Sequence, residues 1–196
     1  MPHSTKLLFM AGSAREGSLN KRLARLGAEI AAANGIAATF ADLGDYPMPL
    51  YDGDLETRDG PPENALKLRS LLGVHAGIFI ACPEYNAGIT PLLKNTLDWI
   101  SRIREEGDAP LDVFKTRVFA LGSVSPGGFG GIRGIGTARQ VLEIGLGAVV
   151  LPDQILVPRA ASAFDDRGHL VDKGQQQMLK SVVEKLARAA RVLHGQ

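Results

Sequence analysis

The sequence predicts an α/β protein with a five-stranded parallel sheet covered by helices on both faces. Short apolar strands alternate with amphipathic helical segments along the chain, a pattern typical of parallel sheets. The run from Gly77 to Cys82 is apolar throughout, as expected for a central strand buried on both faces. Because crossovers between parallel strands are right-handed, few arrangements remain, and we expect the strand order 2-1-3-4-5.

The first half of the chain supplies three predicted strands. Lys6 to Met10 forms the first strand, and leucines and alanines at helical spacing follow it until Asn34-Gly35 ends that helix. Ile36 to Phe40 forms the second strand, followed by a long polar loop. A helix with an acidic start at Asp59 to Glu63 then leads into the third strand, Gly77 to Cys82.

The second half supplies two strands and three helices. Thr90 and Pro91 suit the first turn of a helix, and Val118 to Val124 reads as the fourth strand. A glycine-rich loop and a weaker helix follow. The fifth strand lies between Ala148 and Val157 and is interrupted by a proline, and the chain closes with a long amphipathic helix that begins at Asp172.

Composition and charge narrow the range of partners. A length of 196 residues suits one domain spanning residues 1–196, and a formal net charge of +1 favours neither nucleic acid nor an acidic membrane as a partner. Cys82 is the only cysteine, which excludes an intrachain disulfide and a cysteine-rich metal site. No stretch reaches about 18 uninterrupted apolar residues, so we expect a cytoplasmic protein without a membrane segment.

A ligand site is expected at one edge of the sheet. In open α/β sheets the ligand lies beyond the carboxyl ends of the strands, where the helix direction switches, here between strands one and three. This rule selects the loop from Gly12 to Asn20 and the loop from Pro83 to Thr90, with Ser123 to Gly131 as their neighbour.

The first loop, GSAREGSLN, favours an anion. Its hydroxyls and backbone N–H groups precede a helix N-terminus, and Ser13, Ser18, Asn20 and Arg15 each offer a donor to a phosphate. The glycine spacing resembles a nucleotide-hydrolase P-loop, but Ser18 replaces its lysine and Leu19 its magnesium-binding hydroxyl. A phosphate monoester fits better, and an ordinary capped turn remains the alternative.

The second loop belongs to the segment PEYNAGITPLLKNTLDW. Pro83 and Gly88 shape a turn that leaves backbone groups of Glu84, Tyr85 and Asn86 to meet the polar edge of a flat heterocycle. The Tyr85 ring is expected to provide an aromatic surface beside it. The alternative is a purely structural turn.

At these residues the chain resembles the NADPH-dependent FMN reductase family, which includes flavin-containing quinone, chromate and azo-dye reductases. GSAREGSLN resembles the family's phosphate loop, PEYNAGITPLLKNTLDW its flavin-ring loop, and SPGGFGGIRG its third loop. The likeness extends from about Lys6 to Pro152. It implies a flavodoxin-like three-layer sandwich that binds FMN.

The resemblance also assigns binding roles by position. It places the FMN phosphate and ribityl chain against Ser13, Arg15, Ser18 and Asn20. It places the isoalloxazine against Pro83, Glu84, Tyr85, Asn86 and Gly88, with Ser123 and Gly127 approaching from the fourth strand. The chain departs from the family after Arg133, where Gly134-Ile135 replaces a common Ala-Gln, which weakens the expectation for the local helix and any subunit contact there.

The implied activity is hydride transfer from NADPH, or NADH, to bound FMN, followed by reduction of a small-molecule acceptor such as a quinone, with chromate or azo compounds also possible. The order is ping-pong, and the assembly is a homodimer or homotetramer. Because the flavin carries the chemistry, no catalytic side chain and no metal are expected. His75, His169 and Cys82 are accordingly interpreted as structural or solvated.

Two other functions remain open at this stage. A flavodoxin-type electron carrier would bind FMN and dock to protein partners, although such carriers usually rely on strong surface charge, which the net charge of +1 does not provide. A flavin-binding regulatory protein without catalytic activity is the third possibility.

Overall fold

The protein is built around one parallel sheet. The computed structural model describes residues 5–195, and its sheet comprises β1 (Lys6–Ala11), β2 (Ala37–Ala41), β3 (Gly77–Ala81), β6 (Val118–Val124) and β7 (Val149–Val157). A short antiparallel hairpin, β4 (Glu84–Tyr85) and β5 (Gly88–Ile89), lies outside it. The strand order β2-β1-β3-β6-β7 is the predicted 2-1-3-4-5 order, with every pair parallel. The flavodoxin-like fold is therefore confirmed.

Helices cover both faces of this sheet. They are α1 (Leu19–Ala33), α2 (Gly53–Asp59), α3 (Glu63–Gly73), α4 (Pro91–Ser101), α5 (Asp112–Lys115), α6 (Ile132–Arg139) and α7 (Lys173–Leu193). Buried side chains of α1 and α7 pack on one face, and those of α3, α4, α5 and α6 pack on the other. The sandwich thus has two separate apolar layers, one on each side of the strands.

The central strands β3 and β6 are the ones that the sequence predicts from apolar runs. Every residue of β3 and of β6 is buried, and alternate side chains enter opposite layers, so that Phe79 joins the α1 and α7 layer while Ile78 joins the other. A strand buried on both faces carries few polar side chains, Ser123 in β6 being the exception here, which is why each strand appears as a nearly continuous apolar run.

The polar loop predicted after β2 contains more structure than expected. A short 3₁₀ turn, Leu43–Asp45, precedes α2, whose first N–H groups at Asp54 and Leu55 are capped by the Asp52 carboxylate. None of the residues of α2 is buried, so the segment has no apolar stripe from which a helix can be predicted.

The edge strand β7 was predicted to be interrupted by Pro152, but it runs without a break from Val149 to Val157 and only its pairing with β6 is disturbed there. Its register with β6 shifts between Phe119 and Leu121, next to Pro152. The Arg139 guanidinium donates to the carbonyl oxygens of Leu151 at 2.5 Å and of Pro152 at 3.2 Å. These bonds satisfy carbonyl groups that the irregular pairing leaves outside the ladder.

The last helix is strongly amphipathic. Leu179, Val182 and Leu186 are buried on its inner side, and the Asp172 side chain accepts a hydrogen bond from the backbone N–H of Gln175, as predicted for its start. Between residues 5 and 195, no helix combines the length and apolar character needed to cross a bilayer.

His75 is a buried structural histidine. Its Nδ1 lies 2.6 Å from the carbonyl oxygen of Leu71 and its Nε2 lies 2.8 Å from the hydroxyl of Thr39. A neutral ring satisfies both contacts by donating to the carbonyl and accepting from the hydroxyl. Burial lowers the pKa of His75 because it penalises the charged form. His3 lies outside the described residues.

We predict a stability change in mild acid that originates at His75. Because its folded-state pKa lies below the unfolded value of about 6.5, the unfolded chain takes up the proton first, and stability falls as the pH drops through that value. Urea unfolding at pH 7.5 and pH 5.5 should show a lower free energy of unfolding at pH 5.5. His75→Gln should be less stable overall and largely lose this difference, and an unchanged difference would assign it to other groups.

Candidate functional site

The three predicted loops lie at one edge of the sheet. They follow β1, β3 and β6, which are adjacent and parallel, so their carboxyl ends point the same way. Ser18 and Asn86 therefore belong to loops on the same side of the molecule. We call residues 12–18 the first loop, residues 82–90 the second loop and residues 125–131 the third loop.

The first and second loops touch through Gly12 and Thr90. The Thr90 hydroxyl donates to the carbonyl oxygen of Gly12 at 2.7 Å and accepts from the N–H of Leu93, so it also caps α4. A Cβ at position 12 would lie 2.9 Å from the Cβ of Leu93. The absence of a side chain at Gly12 is what permits this approach.

The first turn of α1 is bound to the end of β6 through Asn20. Its Nδ2 donates to the carbonyl oxygen of Val124 at 2.9 Å, and its Oδ1 accepts from the N–H of the same residue at 3.0 Å. The Asn20 side chain is buried. These two hydrogen bonds leave only one N–H of the Asn20 amide free to donate. Asn20 therefore mainly connects the start of α1, which follows the first loop, to the end of β6, which precedes the third loop.

Glu84 joins the second loop to the first turn of α6, the helix that follows the third loop. Its Oε2 accepts from the N–H groups of Arg133 and Gly134, each at 3.1 Å, and its Oε1 lies 2.5 Å from Nη2 of Arg133. Burial alone would raise the pKa of this carboxyl, but these N–H groups and the guanidinium hold it below its usual value. Both oxygens of the carboxylate therefore bind residues of α6. Only the backbone of Glu84 is left for a ligand at the site.

The first loop has the chemistry of an anion site. Ser18 caps α1, accepting from the N–H of Lys21 at 3.3 Å, and its hydroxyl proton is left to donate elsewhere. Ser13 is also buried, while Arg15 is exposed. The first turn of a helix presents unpaired N–H groups and the positive end of its dipole, which favour a phosphate.

Lys21 is a buried cation beneath this loop that the sequence analysis did not single out. Its Nζ donates to the carbonyl oxygen of Ala14 at 3.0 Å and pairs with Asp42 at 2.7 Å. A lysine three residues after a helix cap is normally a solvated side chain, so nothing in the local sequence marks it. In the structure it fixes the first loop against the end of β2.

The second loop forms the hairpin of β4 and β5. Pro83 is buried, Gly88 is half-buried, and the Tyr85 side chain is 48% exposed. Asn86 and Ala87 form its two-residue turn, both with positive φ, as the I′ turns of tight hairpins require. The backbone of this hairpin and the Tyr85 ring are what remains available to a ligand.

Ser123, near the end of β6 and next to the third loop, has a buried hydroxyl without a hydrogen-bond partner among the described residues. The Oγ of Ser123 is inaccessible and unpaired among residues 5–195. A Cβ at Gly131 would lie 2.0 Å from it, so the loop folds directly over Ser123. Gly127 is exposed, and its carbonyl oxygen accepts from the N–H of Arg159 at 3.2 Å. The tightly packed glycines of this loop are Gly130 and Gly131, neither of which was predicted as a binding residue from the sequence.

Taken together, all predicted binding residues lie in or beside the three loops: Ser13, Arg15, Ser18, Asn20, Pro83, Glu84, Tyr85, Asn86, Gly88, Ser123 and Gly127. They divide into two groups. Ser13, Ser18, Arg15, Tyr85 and the hairpin backbone offer groups to a ligand. The side chains of Asn20 and Glu84 hold the loops together.

Cys82 does not provide a nucleophile at this edge. The residue is fully buried, its N–H donates to the carbonyl oxygen of Gly122 at 2.7 Å, and burial raises the pKa of its thiol to about 12. A thiol with such a pKa holds its proton at neutral pH and reacts slowly. Its interpretation as a small core residue agrees with this geometry.

Comparison with known proteins finds similarity to reductases of flavins and quinones. The family model described as NADPH-dependent FMN reductase matches residues 5–162. A quinone reductase of Pseudomonas putida is 31% identical over 179 residues, covering 91% of this chain and 90% of that protein. A probable NADPH:quinone oxidoreductase 2 of Oryza sativa subsp. japonica is 31% identical over 198 residues, covering 99% and 93%.

Among solved structures, the chain is similar to a flavoenzyme NAD(P)H:(acceptor) oxidoreductase of Paracoccus denitrificans. The TM-score is 0.78, with 23% sequence identity, and the match covers 96% of this chain and 98% of that one. At this identity the likeness supports the fold, in agreement with the strand order described above.

The bond pair between Asn20 and Val124 yields a stability prediction. Asn20→Leu is similar in size but leaves a buried N–H and a buried C=O of Val124 unpaired, and each such group costs about 1 to 3 kcal/mol. We expect urea unfolding of the ligand-free protein to show a loss of roughly 2 to 6 kcal/mol. Asn34→Leu, at the exposed end of the same helix, is the control and should change far less. Equal losses would argue against a special role for Asn20.

Proposed function

The chain belongs to the NADPH-dependent FMN reductase family, and we propose that it passes electrons from NADPH, or NADH, through bound FMN to a small acceptor such as a quinone. It is an oxidoreductase by membership of this family. The observation that carries the proposal is the sheet edge where an anion-binding helix terminus and a backbone hairpin are held together by contacts between loops.

The residues present fit FMN. Its phosphate is matched by the N-terminus of α1 with the hydroxyls of Ser13 and Ser18, and Lys21 supports the loop from beneath. Its ring is matched by the backbone of the hairpin and by the side chain of Tyr85. Ser123 adds a buried hydroxyl whose hydrogen-bonding capacity is unused by the described residues.

When bound, FMN would supply two-electron redox chemistry, so that oxidation of the nicotinamide is balanced by reduction of a quinone to a hydroquinone. The chain contributes position and electrostatics. N–H groups of the hairpin and the adjoining helix termini offer fixed donors to negative charge at the ring edge, without reorganisation during the reaction. No side-chain acid or base is needed for these roles.

The proposed order of the reaction rests on the nicotinamide and the acceptor using the same binding position. If the ring is covered on one side by the loops, the nicotinamide and the acceptor must use the other side in turn, which gives ping-pong kinetics. We further propose a cytoplasmic homodimer or homotetramer that takes small-molecule acceptors, by extension from the family.

An assay of nicotinamide oxidation tests the proposed function. FMN-loaded protein, freed of excess flavin by gel filtration, should oxidise NADPH or NADH in the presence of benzoquinone well above an equal concentration of free FMN. Double-reciprocal plots at several quinone concentrations should be parallel, as expected for ping-pong turnover.

The control is the protein without added flavin, which should show little turnover. FMN binding without nicotinamide oxidation would support the electron carrier or the flavin-binding regulatory protein instead. Failure to bind FMN would reject all three flavin-dependent functions.

Arg15 provides a test of the anion site. Its exposed side chain lies in the first loop, and one charge-assisted contact at such a position predicts that Arg15→Ala raises the FMN dissociation constant about 5-fold. Flavin fluorescence titration measures it. Arg22→Ala, an exposed arginine one turn along α1, removes the same charge and should leave the constant near its original value.

The same variants distinguish the two ligands. An Arg15→Ala protein that keeps its FMN affinity but shows a raised KM for NADPH would assign the arginine to the nicotinamide cofactor. No change in either quantity would make Arg15 a solvated side chain.

A further inference from the structure

Glu84 and Gly134 form a latch between the β4–β5 hairpin and α6. We propose that this latch sets the position of the hairpin, and thereby how tightly the protein holds the flavin ring, an inference that rests on the proposed function. In this proposal Glu84 is a positioning residue, since its carboxylate faces α6 and only its backbone is offered to the ring.

The first observation is that the cap of α6 comes from another loop. Its N-cap residue, Gly131, has no side chain, and no side-chain cap is present among residues 5–195 other than Glu84. The Glu84 carboxylate accepts from two N–H groups of the first turn and pairs with the Arg133 guanidinium. A cap stabilises a helix by about 1 kcal/mol. Because the capping carboxylate here belongs to the hairpin, the same hydrogen bonds also hold the hairpin against α6.

The second observation is the space at Gly134. A Cβ there would lie 3.1 Å from the Cβ and 3.2 Å from the Cα of Glu84, which is closer than ordinary van der Waals contact. Its φ is not in the left-handed region, so glycine is required by space and not by conformation. A glycine inside a helix costs roughly 0.5 to 1 kcal/mol relative to alanine, and the chain accepts this cost where the hairpin touches α6.

The third observation is that the hairpin needs outside support. Asn86 and Ala87 both adopt positive φ, and for alanine this conformation costs roughly 1 to 2 kcal/mol. The Thr137 hydroxyl, one turn beyond Arg133, lies 3.3 Å from the carbonyl oxygen of Ala87 and 3.2 Å from that of Arg133, so its one proton is shared between the hairpin and its own helix. One side of α6 therefore supports both the base and the tip of a turn that is unfavourable by itself.

A change at Gly134 should consequently separate ligand affinity from stability. An alanine Cβ would displace the Glu84 backbone by a few tenths of an ångström, because backbone cannot rotate away as a flexible side chain can. Hydrogen bonds from the hairpin to the ring depend on distance and angle and would weaken. The same alanine raises the helix propensity of α6, so a general loss of stability is not expected.

The experiment compares Gly134→Ala with Gly136→Ala. Gly136 lies in the same helix, is exposed, and has no described atom within 4 Å of an added Cβ. FMN dissociation constants are measured by flavin fluorescence, and thermal unfolding is followed without FMN. We expect Gly134→Ala to weaken FMN binding about tenfold without a lower melting temperature, and Gly136→Ala to bind FMN as the parent protein does.

Glu84→Gln provides a second, independent variant. It keeps the size and one acceptor oxygen but loses the ion pair with Arg133, so FMN binding should weaken about threefold. Combining it with Arg133→Met should add little further loss, because both changes remove the same contact. If Gly134→Ala does not fold, this pair of variants carries the test.

The outcomes separate the latch from the proposed function. A parent protein that binds no FMN overturns the proposed function and the latch with it. A parent that binds FMN, together with Gly134→Ala and Glu84→Gln proteins that bind it equally well, overturns the latch alone. Weaker FMN binding by Gly134→Ala that is accompanied by an equal loss of ligand-free stability would make the contact between Glu84 and Gly134 structural only.

Discussion

The candidate site depends on three contacts that connect its loops, or the ends of the helices and strand next to them, to one another. Thr90 is bound to Gly12, Asn20 to Val124 and Glu84 to Gly134, across separations of 78, 104 and 50 residues along the chain. Each loop leaves the sheet from a different strand, and nothing within a single loop fixes its distance from the others. The parallel sheet brings the loops to one edge, and these three contacts determine their arrangement there.

Close approach at this edge is possible because selected positions carry no side chain. Gly12 lies against Leu93, and Gly134 lies against the backbone of Glu84. Other glycines of the same loops, such as Gly17 and Gly128, have no atoms nearby that an added Cβ would meet. A glycine-rich segment therefore contains constrained and unconstrained positions that look identical in the sequence.

Such differences limit what can be predicted from the sequence: the fold and the location of the site can be predicted, but the roles of individual side chains cannot. The fold was predictable because burial on both faces leaves continuous apolar runs at β3 and β6, and the location of the site follows from the order of the strands. The exposed helix α2 was not predictable, since it has no apolar stripe. Side-chain roles were harder still: an amide such as Asn20 can bond a ligand or the protein, and only its tertiary position decides.

The division of roles has an energetic consequence for ligand binding. Asn20, Glu84 and Lys21 have their main polar groups satisfied by the protein itself, so the loops are held in place before any ligand arrives. A preformed site spends little binding free energy on ordering the chain, and more of it remains as affinity. Ser123 is the exception, because its buried Oγ has no partner among the described residues and lies directly under Gly131. A buried hydroxyl without a hydrogen bond costs free energy in the folded protein, so Ser123 opposes the stability that the other three residues provide.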